Sequence, residues 1–147
     1  MTYSEMETLV KEKLADDHKR LRHVEGTVKM AETLASSNGI DPERAMTAAL
    51  LHDALKDESK EQLLFRIHRQ YGPIDMSKYP FKIWHALAGP DYAKEEMGIT
   101  DPDILNAILF HTTGRKGMSD LEMIVFVSDY LEESRVFADP KLRLLAL

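Results

Sequence analysis

The sequence lacks several features that define whole classes of protein. It has no cysteine among its 147 residues, which excludes disulfide bonds and thiolate metal sites. Any transition-metal site must therefore use imidazole and carboxylate ligands. No stretch approaches the roughly 20 apolar residues of a membrane span, and the charged segment 1–17 does not resemble a signal peptide. We therefore expect a cytoplasmic protein with no membrane partner.

A surplus of positive charge is also absent. Asp and Glu number 25 against 19 for Lys and Arg, which gives a formal net charge of −6. Binding to a nucleic-acid backbone requires a basic surface, so we expect no nucleic-acid partner. An acidic chain that handles phosphate groups must supply positive charge locally, through metal ions or a few Arg and Lys side chains.

Strand signals are scarce, whereas apolar residues recur at helical spacing between clear helix boundaries. The sequence predicts an all-α fold that forms one domain over residues 1–147. Ser4 with Glu7, and Ser119 with Glu122, predict capping boxes for the first and last helices. The other helices are expected over about 17–37, 42–55, 60–71, 81–97 and 100–112.

One predicted helix contains the pair Gly89-Pro90. Proline lacks a backbone N–H and disturbs the interior of a helix, so this pair favours a break there.

Six side chains are candidate metal ligands, and each lies on or at the end of a predicted helix: His23, His52, Asp53, His85, His111 and Asp129. Taken singly, each could be an ordinary hydrogen-bonded residue. However, Asp129 falls on the apolar face of its helix, and burial of an unpaired carboxylate is costly, so a cation or a metal should compensate it. Together, four imidazoles and two carboxylates are enough for a two-metal site.

The adjacent pair His52-Asp53 closes an apolar run. Neighbouring helical residues point about 100° apart, so these two can converge on one centre only if the helix end presents both.

The order of these residues resembles the HD-domain phosphohydrolases, and the local sequences resemble more closely the YqeK family of symmetrical diadenosine tetraphosphate hydrolases. The resemblance covers roughly Arg22 to Phe137 and implies an HD-domain helical bundle. The matching stretches are Arg22-His23 with Gly26, Leu51-His52-Asp53-Ala54 with Lys56, Trp84-His85 with Gly89, His111-Thr112-Thr113-Gly114-Arg115 with Gly117-Met118-Ser119, and Ser128-Asp129-Tyr130-Leu131-Glu132 with Arg135.

The resemblance also implies two divalent metal ions. One would be held by His23, His52, Asp53 and Asp129, and the second by Asp53, His85 and His111. Iron is the implied metal, while the ligand chemistry also admits Mn, Co, Ni and Zn. Two ions roughly 3.5–4 Å apart can bridge a water, lower its pKa and present it as hydroxide in line with a phosphorus atom.

The remaining site residues are expected to act on the nucleotide. Lys56 and Arg115, with Asp53, are assigned to catalysis, and Arg115 and Arg135 to phosphate contacts, against the alternative of solvated surface charge. Thr112 and Gly114 are assigned to the substrate by resemblance. Trp84, with its neighbours Phe81 and Tyr79, could stack on an adenine, although such aromatics are more often core.

Three features depart from the family pattern. Met123 stands where lysine is usual, Glu133 where proline is usual, and the chain ends at Leu147, earlier than family members typically do. An uncovered apolar surface near this end would favour a homodimer, and the residues concerned are Leu142, Leu144, Leu145 and Leu147.

Three other functions compete with cleavage of diadenosine tetraphosphate. Another HD phosphohydrolase acting on a nucleoside mono- or triphosphate would use the same ligands. A non-catalytic nucleotide-binding or regulatory module is less favoured, because all six ligand positions carry ligand-competent residues. A helical protein-interaction domain would leave Asp53 and Asp129 buried without partners.

Overall fold

The computed structural model describes residues 1–134, and within them every regular element is helical. The absence of strands over this range confirms the predicted all-α fold. Two short 3₁₀ turns, Met76–Lys78 and Phe81–Ile83, lie in the connection before the fifth helix. The α-helices are α1 Tyr3–Lys13, α2 His18–Ser37, α3 Pro42–Leu51, α4 Lys60–Tyr71, α5 Trp84–Met97, α6 Pro102–Leu109 and α7 Asp120–Ser134.

The start of α1 differs from the prediction. The N-cap is Thr2, whose hydroxyl accepts from the Glu5 amide at 3.1 Å, while the Glu5 carboxylate accepts from the Thr2 amide at 3.4 Å. The predicted box at Ser4 and Glu7 was therefore wrong, because the same spacing of hydroxyl and glutamate occurs two residues earlier and captures the helix start.

The predicted capping box of α7 is confirmed. The Ser119 hydroxyl accepts from the Glu122 amide at 3.1 Å, and the Glu122 carboxylate accepts from the Ser119 amide at 3.0 Å.

Helix α3 ends at Leu51 rather than at the predicted Leu55. Beyond it, the Ala54 amide donates to the Leu51 carbonyl at 3.2 Å and the Lys56 amide to the Asp53 carbonyl at 3.0 Å. These bonds reach back only three residues, so the chain tightens into turns instead of continuing the α-helical pattern. His52 and Asp53 thus lie at the helix end.

Helix α5 is unbroken from Trp84 to Met97, so the expected break at Gly89-Pro90 was wrong. Both residues are buried, in a helix that packs against α4 and α6. Packing on both neighbours offsets the hydrogen bond that the proline cannot make.

Helix α3 forms the centre of the core. Alanine and leucine side chains cover it, and α1, α2, α6 and α7 pack around it. Elsewhere, α2 packs on α7, α4 on α5, α5 on α6, and α6 on α7, so one hydrophobic cluster draws on all seven helices. None of the helices within residues 1–134 is long and apolar enough to cross a membrane.

A partly buried ionic network joins α4 to its neighbours. The Arg66 guanidinium donates to Glu58 at 2.8 Å and lies 3.6 Å from Asp91, while Arg69 donates twice to Asp91 at 2.8 Å. Lys13 of α1 pairs with Glu58 at 2.9 Å. No sequence pattern signals this network, because its members come from segments far apart in the chain.

Candidate metal centre

Five segments contribute the six candidate ligands. His23 comes from α2, and His52-Asp53 from the turn that ends α3. His85 lies in the first turn of α5, His111 follows the end of α6, and Asp129 lies on α7. All except Asp129 are buried, and Asp129 is partly buried.

Asp53 lies between two pairs of imidazoles. Its Oδ1 is 3.2 Å from Nε2 of His85 and 3.4 Å from Nε2 of His111. Its Oδ2 is 3.5 Å from Nε2 of both His23 and His52. One carboxylate therefore faces both groups of ligands.

Asp129 completes the group around His23 and His52. Its Oδ1 lies 2.9 Å from Nε2 of His23 and 3.3 Å from Nε2 of His52. Two sets of donor atoms result, each with all its atoms within 4.8 Å of one another: His23, His52, Asp53 and Asp129, and Asp53, His85 and His111.

Backbone contacts orient two of the imidazoles. Nδ1 of His52 lies 2.5 Å from the Ala49 carbonyl, and Nδ1 of His111 lies 2.7 Å from the Ile108 carbonyl. A carbonyl only accepts, so each Nδ1 carries a proton, and Nε2 of each ring faces the cluster, where it offers its lone pair when the ring is neutral.

The imidazoles also face one another at short range. Nε2 atoms of His23 and His52 are 3.3 Å apart, and those of His85 and His111 are 3.2 Å apart. Facing lone pairs repel unless a cation or a proton lies between them. This donor set therefore fits two divalent metal ions of the kind that imidazole and carboxylate bind.

The pKa values of the cluster favour ionised carboxyl groups and a protonated His52. Burial opposes ionisation of Asp53 and Asp129, but the surrounding histidines outweigh it and hold the pKa of both carboxyl groups well below the usual range. Burial also disfavours charge on His52, yet Asp53 and Asp129 raise its pKa to about 9. Burial lowers the pKa of His85. The carboxylates are thus anionic and attract positive charge.

A glycine allows the close approach that joins His23 to Asp129. A Cβ added to Gly26 of α2 would lie 2.2 Å from a carboxylate oxygen of the buried Glu132 on α7. The glycine therefore lets the two helices pack with Glu132 between them, and it lies one turn from His23.

A cavity of about 380 Å³ adjoins the cluster, within the range of roughly 300–1,000 Å³ that is usual for small-molecule sites. Its lining combines candidate metal ligands, cations and aromatic rings: Arg20, Asp53, Lys56, His85, His111, Thr112, Phe126, Asp129 and Tyr130. Three of the predicted substrate or catalytic residues, Asp53, Lys56 and Thr112, therefore lie on its wall.

Arg20 is a wall residue that was not predicted from the sequence. Its guanidinium donates to Oδ2 of Asp53 at 2.8 Å. It precedes His23 by three residues, so both side chains lie on one face of α2, and that spacing was the available signal.

Arg115 lies in a different environment from the one expected for a phosphate contact. Its guanidinium binds both oxygens of the buried Glu122 and lies 4.3 Å over the Phe110 ring. Gly114, beside it, donates its amide to the Phe110 carbonyl at 2.8 Å. These bonds hold the connector between α6 and α7, residues 110–119, which contains His111.

The indole of Trp84 is only 6% exposed, and its N–H donates to the Tyr79 carbonyl at 3.0 Å. Phe81, whose ring is 5.1 Å from it edge to face, is 56% exposed. The accessible aromatic surface at this place therefore belongs to Phe81 and to Tyr79, which is 41% exposed. Arg135 and the apolar residues Leu142, Leu144, Leu145 and Leu147 lie outside the described residues.

Known proteins share both the sequence pattern and the fold. The model of the HD domain family matches residues 20–134. The chain is 41% identical over 118 residues to a symmetrical bis(5'-nucleosyl)-tetraphosphatase of Halalkalibacterium halodurans, a match that covers 80% of this chain and 63% of the relative. It is 36% identical over 137 residues to the protein of the same name from Bacillus subtilis, covering 93% of this chain and 73% of that one.

Among solved structures, the chain is similar to a predicted HD superfamily hydrolase involved in NAD metabolism from Clostridium acetobutylicum. The TM-score is 0.87 with 36% sequence identity, and the match covers 99% of this chain and 77% of that one. The chain thus spans just under two thirds of the first relative and about three quarters of the other two proteins.

Proposed function

The chain belongs to the HD-domain family, and on that premise we propose that it is a metal-dependent hydrolase that cleaves diadenosine tetraphosphate symmetrically into two molecules of ADP. The observation that carries the proposal is the Asp53 carboxylate, whose two oxygens each face a pair of imidazoles beside a cavity with cationic walls. The relatives named for this reaction support the choice of substrate.

The ligand sets define where metal ions would be held. His23, His52, Asp53 and Asp129 would bind one, and Asp53, His85 and His111 would bind the other. When bound, such ions neutralise phosphate oxygens and make water acidic enough to attack phosphorus near neutral pH. We propose iron as the metal, with manganese or cobalt as replacements.

The walls of the cavity act on the polyphosphate. Lys56 and Arg20 bring positive charge beside Asp53, where the central phosphates must lie if they are to be cut, and the Thr112 hydroxyl offers a further hydrogen bond. Water adds to one central phosphorus, the bond to the bridging oxygen breaks, and that oxygen leaves as part of the second ADP. No protein nucleophile enters this scheme.

Arg115 supports the site indirectly in this proposal. By binding Glu122 it fixes the connector that begins at His111, so its loss would disturb the position of His111 and Thr112. We further propose that the partner of the protein is a small nucleotide and that the protein acts in the cytoplasm. The homodimer remains a prediction from the sequence.

The test is to load the protein with Fe, Mn or Co, incubate it with diadenosine tetraphosphate and separate the products by chromatography. ADP as the sole product would support the proposal. AMP with ATP would contradict symmetrical cleavage while keeping a hydrolase. Absence of turnover in the metal-loaded protein would overturn the proposed substrate. Metal-stripped protein and an Asp53→Asn variant serve as controls.

A further inference from the structure

A second, smaller cavity adjoins the one beside the metal ligands. Its volume is about 140 Å³, and it is lined by Lys56, Leu63, Phe81, Lys82 and His85. Lys56 and His85 line the larger cavity as well. The two cavities are therefore neighbours that share these two side chains.

At about 140 Å³ the smaller cavity can enclose only part of a nucleoside, and its lining has the chemistry that suits the base. Phe81 is exposed, and its ring packs against the buried Trp84 with the two ring centroids 5.1 Å apart, so part of its aromatic surface is accessible to a ligand. The buried Leu63 gives an apolar wall, and Lys56 and Lys82 add positive charge to the lining. An aromatic ring beside cations suits a nucleotide, because the ring can stack on the nucleobase and the cations can bind the phosphates.

The proposed reaction requires such a site. A symmetrical cut places the middle of the polyphosphate at the metal ligands, so equal halves must extend from that point in two directions. Each half ends in a nucleoside. The larger cavity offers Phe126 and Tyr130 to one of them, and the other half, once it has passed His85, meets the lining of the smaller cavity.

We propose that Phe81, Leu63 and Lys82 form the binding site for the second adenosine, with Lys56 contacting the phosphates that link the two cavities. This inference rests on the proposed function and adds to it a site for the distal half of the substrate. The leaving or the attacked ADP can occupy it, because the two halves are identical.

The test compares a ligand with two bases and a ligand with one. The KM and kcat for diadenosine tetraphosphate, and the inhibition constant of adenosine 5'-tetraphosphate, are measured for the metal-loaded wild-type protein and for Phe81→Ala. A ligand with two bases must use both nucleoside sites. A ligand with one base can instead bind at the site that the substitution leaves intact. We expect kcat/KM for the dinucleotide to fall roughly tenfold, mainly through KM, with a smaller loss for adenosine 5'-tetraphosphate.

Two matched variants accompany this comparison. Phe65→Ala removes another exposed phenylalanine, on α4 under Arg69, and should leave KM, kcat and the inhibition constant unchanged. Phe81→Tyr keeps an aromatic face and should stay close to wild type. Metal content is measured in every variant, because Phe81 lies four residues before His85.

Equal losses for both ligands, or no loss for the dinucleotide, would overturn the second nucleoside site. If the wild-type protein does not cleave the dinucleotide, the proposed function fails by itself. The site is then judged by calorimetric binding of the same two ligands to the same metal-loaded variants, where equal affinities of wild type and Phe81→Ala for the dinucleotide would overturn it.

Discussion

The Asp53 carboxylate is surrounded by nitrogen atoms, those of the Arg20 guanidinium and of four imidazoles. An asparagine in its place would keep the shape but offer one oxygen instead of two. Its amide nitrogen could neither bind a metal ion nor accept from Arg20, and the negative charge that balances Arg20 would be gone.

We therefore expect Asp53→Asn to lose most bound metal and to lower kcat/KM by roughly 100-fold or more, since even outer-shell changes cost about 10–100-fold. Helix content should persist, because the core of α3 is apolar. Elemental analysis, turnover and circular dichroism measure the three effects. Asp16→Asn, an exposed change of the same kind, is the control, and full metal content in Asp53→Asn would contradict the shared-ligand account.

The raised pKa of His52 predicts how the stability of the metal-free protein depends on pH. Its charged form stabilises the folded state fully below the unfolded pKa of about 6.5, and this contribution is lost as pH rises through about 9. The lowered pKa values of Asp53 and Asp129 keep both ionised throughout this window, so they add no slope.

The melting temperature of metal-free protein should therefore fall between pH 6.5 and 9. With metal bound, the ring is neutral at every pH in this window, so the fall should be much smaller. Melting curves of both forms across this range provide the measurement, and a metal-free protein whose melting temperature stays level would refute the prediction.

The six candidate ligands could be selected from the sequence because imidazole and carboxylate side chains in a known order point to one chemistry, and the structure brings all six together. Arg20 on Asp53, Arg115 on Glu122 and Arg66 on Glu58 could not. Each of these contacts depends on which long side chains meet after the helices have packed, and sequence spacing carries little of that information.

At the scale of elements, the bounds of α2 and α4 followed from their periodicity and caps. The end of α3 and the continuity of α5 did not. In α3, local propensity favoured more helix than the tight turn at Asp53 permits. In α5, tertiary packing outweighs the disruptive tendency of Pro90.

The contact of α5 with α6 depends on Gly89. A Cβ there would lie 2.4 Å from Cγ2 of the fully buried Ile108, whose branched side chain has little freedom to move. Gly89 follows His85 by one turn, and the Ile108 carbonyl orients His111. Separation of these helices would therefore separate the two imidazoles.

We expect Gly89→Ala to destabilise the protein by about 1–3 kcal/mol, through overpacking. The same substitution in a solvent-exposed helix would stabilise a protein by roughly 1 kcal/mol. Denaturant unfolding measures whether the free energy of unfolding falls or rises. Metal content should fall together with stability. Ile108→Ala should cost less when combined with Gly89→Ala than in wild type, because the added methyl fills part of the space; additive effects would argue against direct contact.

At the scale of the molecule, the candidate ligands come from α2, the end of α3, α5, the end of α6, and α7. Metal binding should therefore stabilise the fold as a whole. Metal at about 1,000 times its dissociation constant adds roughly 4 kcal/mol, so chelation should lower the melting temperature and readdition of Mn should restore it.

Circular dichroism should show that the helices survive chelation at low temperature, because one apolar cluster links them without the ligands. His68→Ala, an exposed histidine on α4, should respond to chelation as the wild type does. Identical melting of metal-loaded and chelated protein would contradict a centre that ties these segments together.

The single tryptophan of the chain is Trp84. It is buried beneath Phe81, bonded to the Tyr79 carbonyl, and adjacent to His85. All indole fluorescence of the protein thus arises at one known point, between the ligands and the smaller cavity. Emission intensity and wavelength give an optical readout of events at that point, and no label has to be attached to obtain it.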